Sequence, residues 1–589
     1  MSQKVHAHTP HRGDFALDAR LLRITAMAIG IGMLSTGAAR LLLDLIRFFT
    51  NLFFFQTFSL EERSPATHTL GAWVIAVPVI GGLIVGLVAR YGSEKIRGHG
   101  IPEAIEAILF GKSRMSPKVA VLKPLSSGIV IGSGGPFGAE GPIIMTGGAI
   151  GSLIAQHFHL TAAERKALLV AGATAGMTAV FGTPVAAVLL AVELLLFELR
   201  PRSLLPVAVA CATAGFTRSL LLDAGPLFPL QTLVPGPMTL VWCVVAGVLC
   251  GALAASLSLS LYKVEDWFGR LPLHWMWWPA IGGVAVGLGG WLQPRALGVG
   301  YDVIGDLLNN RLTLNVALAL LAVKAVIWVI ALASGTSGGV LAPLLMMGAG
   351  MGVVLSHVFP GNDPPLWPMV CMAATLGGTM RAPLTATLFA FGLTHDSNAL
   401  LPLLATSAVA YGFTVLTMRR SILTEKIARR GHHIYREYGV DPLERHSVDE
   451  VMTRTVQSID AASTVGEALA LHFGPGQSHR AFPVLRDGAV VGVADRALLV
   501  AHGDAEPAVT VGEACAGLPL AFALPTDNCR AVATRLARQR LERLPVVRDA
   551  QSLALVGVVA RSDLIKPSLA HFDEEEHRER LRGLPWQSS

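Results

Sequence analysis

Hydrophobic positions along most of this chain fall in long blocks rather than alternating with polar ones. Apolar stretches cover about 22–50, 70–91, 117–133, 139–158, 166–199, 203–222, 236–262, 274–293, 312–333, 339–358, 366–394 and 399–418. A simple membrane span needs about 20 apolar residues. Several of these blocks are shorter, or are broken by Gly and Pro in mid-segment. The breaks include Gly132-Ser133-Gly134-Gly135-Pro136, Gly182-Thr183-Pro184 and Gly335-Thr336-Ser337-Gly338-Gly339. Backbone cannot stay unpaired against lipid, so such breaks must be buried in protein or line an aqueous cavity. The pattern predicts an α-helical polytopic membrane protein with broken helices at membrane depth, which suits a transporter or channel and not a simple anchor.

An internal repeat sharpens that expectation. Lys123 and Lys324, Gly138 and Gly339, Gly147 and Gly348, and Gly151 and Gly352 all stand 201 residues apart. Pro142-Ile143-Ile144-Met145 keeps the same offset from Pro343-Leu344-Leu345-Met346, and the run from Pro184 echoes that from Pro383 at an offset of 199. Chance similarity among apolar segments would not keep Gly, Pro and Lys in one register. Paired, interrupted segments in two halves point to a binding site between inverted repeats.

The pattern changes after Arg420. Residues 421–445 are charged and mixed, an exit helix and linker. Two units of about sixty residues follow, with short apolar runs and helical patterns between them. Phe482-Pro483-Val484-Leu485 is answered by Leu544-Pro545-Val546-Val547, and Val491-Gly492-Val493 by Val556-Gly557-Val558. These predict a soluble α/β module built as a tandem repeat. The acidic run Asp573 to Glu576 reads as a solvated helix start.

Composition agrees. The 589 residues are 52% hydrophobic and only 15% charged, with a mean hydropathy of +0.54, against about 25% charged in an ordinary soluble protein. A cytosolic enzyme and a disordered chain are both excluded. The net charge of +6 includes Arg419-Arg420 and Arg429-Arg430, which fit cytoplasmic flanks; without interleaved aromatics they do not suggest nucleic acid. Six cysteines without CxxC spacing imply neither a disulfide framework nor a zinc site. No removable signal peptide is expected in the first twenty residues, which carry His6, His8, His11 and Arg12.

Glu140 is the most informative residue. It sits in Gly138-Ala139-Glu140-Gly141-Pro142 ahead of an apolar stretch. An intramembrane carboxylate is a functional hypothesis by default. Pro at a first helical position with Gly before it marks a helix N-terminus, whose unpaired N–H groups favour an anion. Glu140 can supply that anion itself and, displaced or protonated, leave the place to a mobile one; the bland reading makes it only the cap of its helix. Gly98-His99-Gly100-Ile101-Pro102-Glu103, Gly339-Val340-Leu341-Ala342-Pro343 and Ser421-Ile422-Leu423-Thr424 repeat the pattern. Several converging N-termini would hold an anion without a full positive charge, which permits rapid exit.

In order, GHGIPE, GAEGP and GGVLAP resemble the three signature regions of the CLC chloride channel and transporter family over roughly residues 20–435, and the two later units look like a CBS-domain pair. The resemblance implies a homodimer with one pore per subunit, each pore made of inverted repeats with broken and re-entrant helices. It implies chloride or a similar small anion as the transported ligand, protons as a second one, and no required cofactor. Glu140 then stands at the gating position. The anion-binding positions are His99, Gly100, Ile101, Gly138, Ala139, Gly141, Val340, Leu341 and Leu423. The chain departs from the family at four of its sites, one of them Ala139 in place of the arginine usual before the gating glutamate. His99 replaces a serine and Leu423 a tyrosine, so two hydroxyls are missing; the imidazole of His99 could donate one hydrogen bond or, protonated, add charge. Alternatively its ring points away and only amides bind. Leu194 stands where exchangers often have an inner proton-relaying glutamate. Glu193 and Glu198 are the candidate carboxylates of a proton path, Glu198 reading equally as an interfacial charge beside Arg200 and Arg202.

The expected division is a tail at 1–20, the transport domain at 21–435, a linker at 436–445, CBS units at 446–504 and 505–567, and a charged tail at 568–589. Ser562 and Asp563 match a CBS stretch that contacts an adenosine nucleotide, or else cap the following helix. Lys123 and Lys324 admit an anion-binding role or a structural one in which each amine caps carbonyls, and their repeat-related placement favours the second; Arg381 carries the same ambiguity. Proton-coupled anion exchange across a bacterial inner membrane, with the termini and CBS pair cytoplasmic, is the leading expectation. A passive channel is the alternative, and a CBS-regulated transporter of another ion a distant third. No HExxH or GxSxG points to an enzyme.

Overall fold

The computed structural model describes residues 20–566, except 223–224, 360–362, 433, 435–442, 444–445, 475–476, 478 and 504–508. The expected tails, the linker and the acidic run lie outside the described residues, apart from Arg20 and Leu443. The chain forms two units, the first reaching Arg436 and the second spanning Glu437–His577.

The first unit is helical. Among the described residues, six stretches are long and apolar enough to cross a membrane: Arg20–Phe55, Gly71–Tyr91, Pro201–Leu221, Pro237–Gly269, Leu314–Ala333 and Leu400–Arg429. The first, α1 (Arg20–Phe55), has 36 residues and is about 54 Å long at 1.5 Å per residue, well over a bilayer core of about 30 Å. The next helices in the chain are α2 (Ala76–Tyr91), α3 (Ile101–Leu109), α4 (Pro117–Gly132), α5 (Glu140–Gln156), α6 (Ala162–Phe181), α7 (Pro184–Leu190) and α8 (Pro201–Leu221). They are followed by α9 (Pro237–Gly269), α10 (Trp278–Leu292), α11 (Tyr301–Leu308), α12 (Leu314–Ala333), α13 (Leu341–Ser356), α14 (Leu366–Met380), α15 (Pro383–Thr394), α16 (Leu400–Thr417) and α17 (Ile422–Arg429).

The breaks fall where Gly and Pro predict them. α6 stops at Gly182, whose φ of 70° lies in the left-handed region that glycine adopts at no steric cost, and Pro184 opens α7. One detail differs: α5 begins at Glu140, so Pro142 is its third residue and not its first. The N–H of that position has no intrahelical acceptor either, so proline is equally at home there.

The repeat is visible as packing. A Cβ on Gly147 of α5 would lie 2.2 Å from the carbonyl of Gly172 in α6, and a Cβ on Gly348 of α13 would lie 2.5 Å from that of Cys371 in α14. Both halves therefore press the same helix pair together through glycine. Gly138 and Gly339, themselves repeat mates, form an antiparallel bridge and exchange both backbone hydrogen bonds, at 3.2 and 3.0 Å. A residue paired antiparallel with its own repeat mate places a local two-fold axis between them, as inverted repeats require.

Lys123 and Lys324 obey the same symmetry. Each is fully buried. Lys123 Nζ donates to the carbonyls of Ile96 and Gly98, both at 2.8 Å; Lys324 Nζ donates to those of Ala296 and Gly298, both at 2.9 Å. These are the carbonyl-capping contacts of the structural reading. Arg381, at the C-terminus of α14, likewise donates to the carbonyls of Thr414 and Met418.

In the second unit two hairpins repeat one another. β1 (Ile459–Asp460) runs parallel to β2 (Ala481–Arg486), which pairs antiparallel with β3 (Ala489–Asp495). β4 (Arg543–Val547) pairs with β5 (Leu555–Ala560). Pro483 faces Val493 as Pro545 faces Val558, and each hairpin has an irregularity in register just after that point. The short helix Val448–Val451 packs in the core of the second repeat with Val532 and Leu544, whereas Val511 and Ala514 pack in the first with Ile459 and Val484. The two cores thus exchange their leading helices.

Candidate functional site: a junction of helix N-termini

Two bridges gather the three glycine-rich segments. Gly98 pairs with Ser337, and Gly138 with Gly339. The N-termini of α3, α5 and α13 are thereby held against one another. Close approach demands glycine here: a Cβ on Gly141 would lie 1.8 Å from the carbonyl of His99, and Gly100, with φ 92°, leaves a Cβ only 2.7 Å from the carbonyl of Gly141.

Glu140 is fully buried at this junction. Its Oε1 accepts from the N–H of Leu341 and, at 3.2 Å, from that of Ala342. The carboxylate caps α13, the repeat mate of its own helix, and not merely α5. An anionic group therefore rests on a helix N-terminus, where unpaired N–H groups and the helix dipole favour negative charge. Glu140 Oε2 is buried with no hydrogen-bond partner among the described residues.

The expected anion-binding residues share this place with different states of their amides. His99 is 2% exposed, and both ring nitrogens are buried without partners among the described residues. Ile101, Ala139, Gly141 and Val340 are buried at the junction. Three of the expected amide ligands are already used. The N–H of Gly100 donates to Glu103 Oε2 at 3.0 Å in a capping arrangement, and that of Gly138 is the one given to Gly339. Leu341's amide is held by Glu140. Leu423 is fully buried in the first turn of α17, where Ser421 accepts from the N–H of Thr424 at 3.3 Å.

The carboxylates suggested for protons stand elsewhere. Glu193 caps α15, accepting from the N–H of Thr385 at 2.8 Å and its hydroxyl at 2.6 Å. Glu198 accepts from Ser203 at 2.7 Å and lies 3.6 and 3.8 Å from Lys166 and Arg200. It does not follow Leu194 on one helical face. A π-helical segment Ala191–Leu196 ends at Phe197, which has a left-handed φ of 55°, so the one-turn spacing expected of Glu198 is lost. Leu194 itself is 1% exposed.

In the second unit Asp563 is occupied. It accepts from the N–H of Ala560 at 2.8 Å and pairs with Lys566 at 2.7 Å. Ser562 precedes a short 3-10 turn but makes no side-chain cap to it, which corrects the capping role suggested for it: its backbone is already helical, whereas a capping residue is extended.

Sequence reading missed three groups. Glu103 ties the site to α17, pairing with Lys426 at 3.3 Å and Arg430 at 2.9 Å; the Gly-x-x-Glu spacing of a capping box was the available signal. The hydroxyl of Tyr262 in α9 donates to the carbonyl of Ile422 beside Leu423, across 160 residues and with no local signature. Tyr301, at the start of α11, has a buried hydroxyl without a partner among the described residues.

With this geometry established, similarity to known proteins decides the family. Residues 81–415 match the family described as voltage gated chloride channel, and 448–500 and 517–569 match the CBS domain. The chain belongs to the voltage gated chloride channel family. Its members transport anions and are not enzymes. A protein of Ralstonia nicotianae named as a ClcB-like chloride channel protein is 28% identical over 60% of this chain and 85% of its own length. The H(+)/Cl(-) exchange transporter ClcA of Salmonella paratyphi A is 26% identical over 58% and 76%. Among solved structures, a slow cyanobacterial Cl-/H+ antiporter shares the fold with a TM-score of 0.62 at 22% identity, over 70% of this chain and 99% of that one. A eukaryotic CLC transporter does so with 0.59 at 17%, over 92% and 98%. The voltage gated chloride channel fold and the CBS pair are thus the architecture of this chain, and anion transport across a membrane is its function.

Proposed function

We propose that this protein is a proton-coupled exchanger of chloride or a similar small anion, gated by Glu140. The observation that carries the reading is the carboxylate of Glu140 resting on the Leu341 and Ala342 amides at the N-terminus of α13. A carboxylate that leaves such a place on taking up a proton couples protonation to anion entry at a single site. Relatives named as exchange transporters support the reading. His99, Ile101, Ala139, Gly141, Val340 and Leu423 form the rest of the anion path. The working unit is a homodimer in a bacterial inner membrane, divided as the sequence suggests, with the CBS pair cytoplasmic. No nucleotide role is assigned to Ser562 and Asp563.

A specific observation favours a second reading. Leu194 is apolar and buried where a proton-relaying carboxylate would serve exchange, and Glu193 and Glu198 are bound elsewhere. Passive anion conduction would need no such relay. Glu140→Gln separates the readings: exchange predicts changed anion flux with all proton movement lost, whereas conduction predicts no proton movement in the parent protein either. Unchanged flux and unchanged proton movement would remove Glu140 from the mechanism.

A further inference from the structure

A cavity of about 650 Å³ is lined by Gly98, by Met145 of the Glu140 helix, and by Arg430 and His432 near the end of the first unit. Arg97 lines it, one residue before the Gly98–Gly100 turn. Its guanidinium carbon lies 4.3 Å from the ring centre of Trp275 and 5.9 Å from that of Trp278. A Cβ on Gly335, whose φ of 76° favours glycine, would lie 2.8 Å from its Nη2, so the guanidinium packs against that turn. Its Nε is buried with no hydrogen-bond partner and no ion-paired carboxylate among the described residues, although Glu94, Glu265 and Glu103 line the same cavity within electrostatic range.

A guanidinium carries its N–H groups around its edge and none on its faces. Stacking on indole holds the cation in place, worth about 0.5–2 kcal/mol, without using one of those donors. A carboxylate in the same role would both use the donors and cancel the charge. Lys426, on the same cavity wall, is paired with Glu103; Arg97 is not paired in this way.

Resting on the reading of this chain as an anion transporter, we propose that Arg97 is an anion-holding residue of this cavity. Its edge N–H groups receive the small anion before it passes to the amides around His99 and Glu140. Such a residue sets how much anion is needed to load the pathway, and not how anion and proton are coupled.

The test compares the full-length parent, Arg97→Gln and Arg97→Lys in liposomes, with initial chloride efflux followed against chloride concentration. Arg97→Gln is expected to raise the half-saturating concentration about fivefold, the scale of one solvent-screened charge, with the maximal rate and the protons moved per chloride unchanged. Arg97→Lys is expected to fall between the two. A half-saturating concentration within about twofold of the parent's overturns the proposal, as does a fall in maximal rate alone, which marks a structural role. A second measurement needs neither transport nor a folded variant: crystals of the parent protein in bromide are expected to show an anomalous peak within hydrogen-bond distance of the Arg97 guanidinium. Its absence overturns the proposal. Its presence in a protein that moves no halide would keep the Arg97 site and sink the transport reading.

Discussion

A carboxylate and two lysines, all buried, set the chemistry at the scale of single residues. Glu140 is stabilised by backbone N–H groups and not by a cation, so the interaction that holds it is the one an anion would make. Lys123 and Lys324 are the opposite case, each holding two carbonyls. Replacing either by Met leaves those carbonyls buried and unpaired, at a cost of about 1–3 kcal/mol. Lys123→Met and Lys324→Met are therefore both expected to lower the thermal unfolding midpoint of the detergent-purified protein, and by similar amounts because their contacts are equivalent. Unchanged stability with weakened anion binding would return these lysines to the anion path. Glu140 and the lysines are legible in the sequence because a charge in an apolar block needs a reason. Tyr262 and Tyr301 are not, because a tyrosine suits an apolar helix without one; only the tertiary contacts show where their hydroxyls lie.

At the scale of elements, the glycine seams between α5 and α6 and between α13 and α14 hold the N-termini of α5 and α13 at the junction. Gly147→Ala and Gly348→Ala would each push a methyl group into a carbonyl, and overpacking of this kind costs about 1–3 kcal/mol. Both are expected to lower the unfolding midpoint. Gly412→Ala in α16, where a Cβ meets nothing within 4 Å, is expected to leave it unchanged or raise it slightly. Equal effects at all three positions would contradict the packing account. The constant 201-residue offset makes these seams legible in the amino-acid sequence. One-turn spacing misplaces Glu198, because it assumes a continuous helix, and the helix ends at Leu196, ahead of the left-handed Phe197. A π-helical segment has no sequence signature as plain as a Gly-Pro break.

At the scale of the whole molecule, inverted repeats explain why the site lies where it does. Gly138 and Gly339 pair across the local two-fold axis, and the carboxylate of one half then meets the helix N-terminus of the other. The broken helices, the repeat and the order of the three glycine-rich motifs are all readable from the chain. The amides that remain available are not, since Gly100 and Gly138 look like the other amide positions until their bonds to Glu103 and Gly339 are seen. The exchange of leading helices between the two CBS cores is also hidden, because a tandem repeat does not reveal which copy packs against which.

The proposed exchange of an anion and a proton through the place Glu140 occupies can be followed with the purified protein in liposomes, under an imposed chloride gradient with the voltage clamped by a potassium ionophore. Chloride and external pH are followed together. The expected result is uphill proton movement driven by the chloride gradient, and its loss in Glu140→Gln. Chloride flux with no proton movement in the parent protein would contradict the exchange claim and leave a passive pathway.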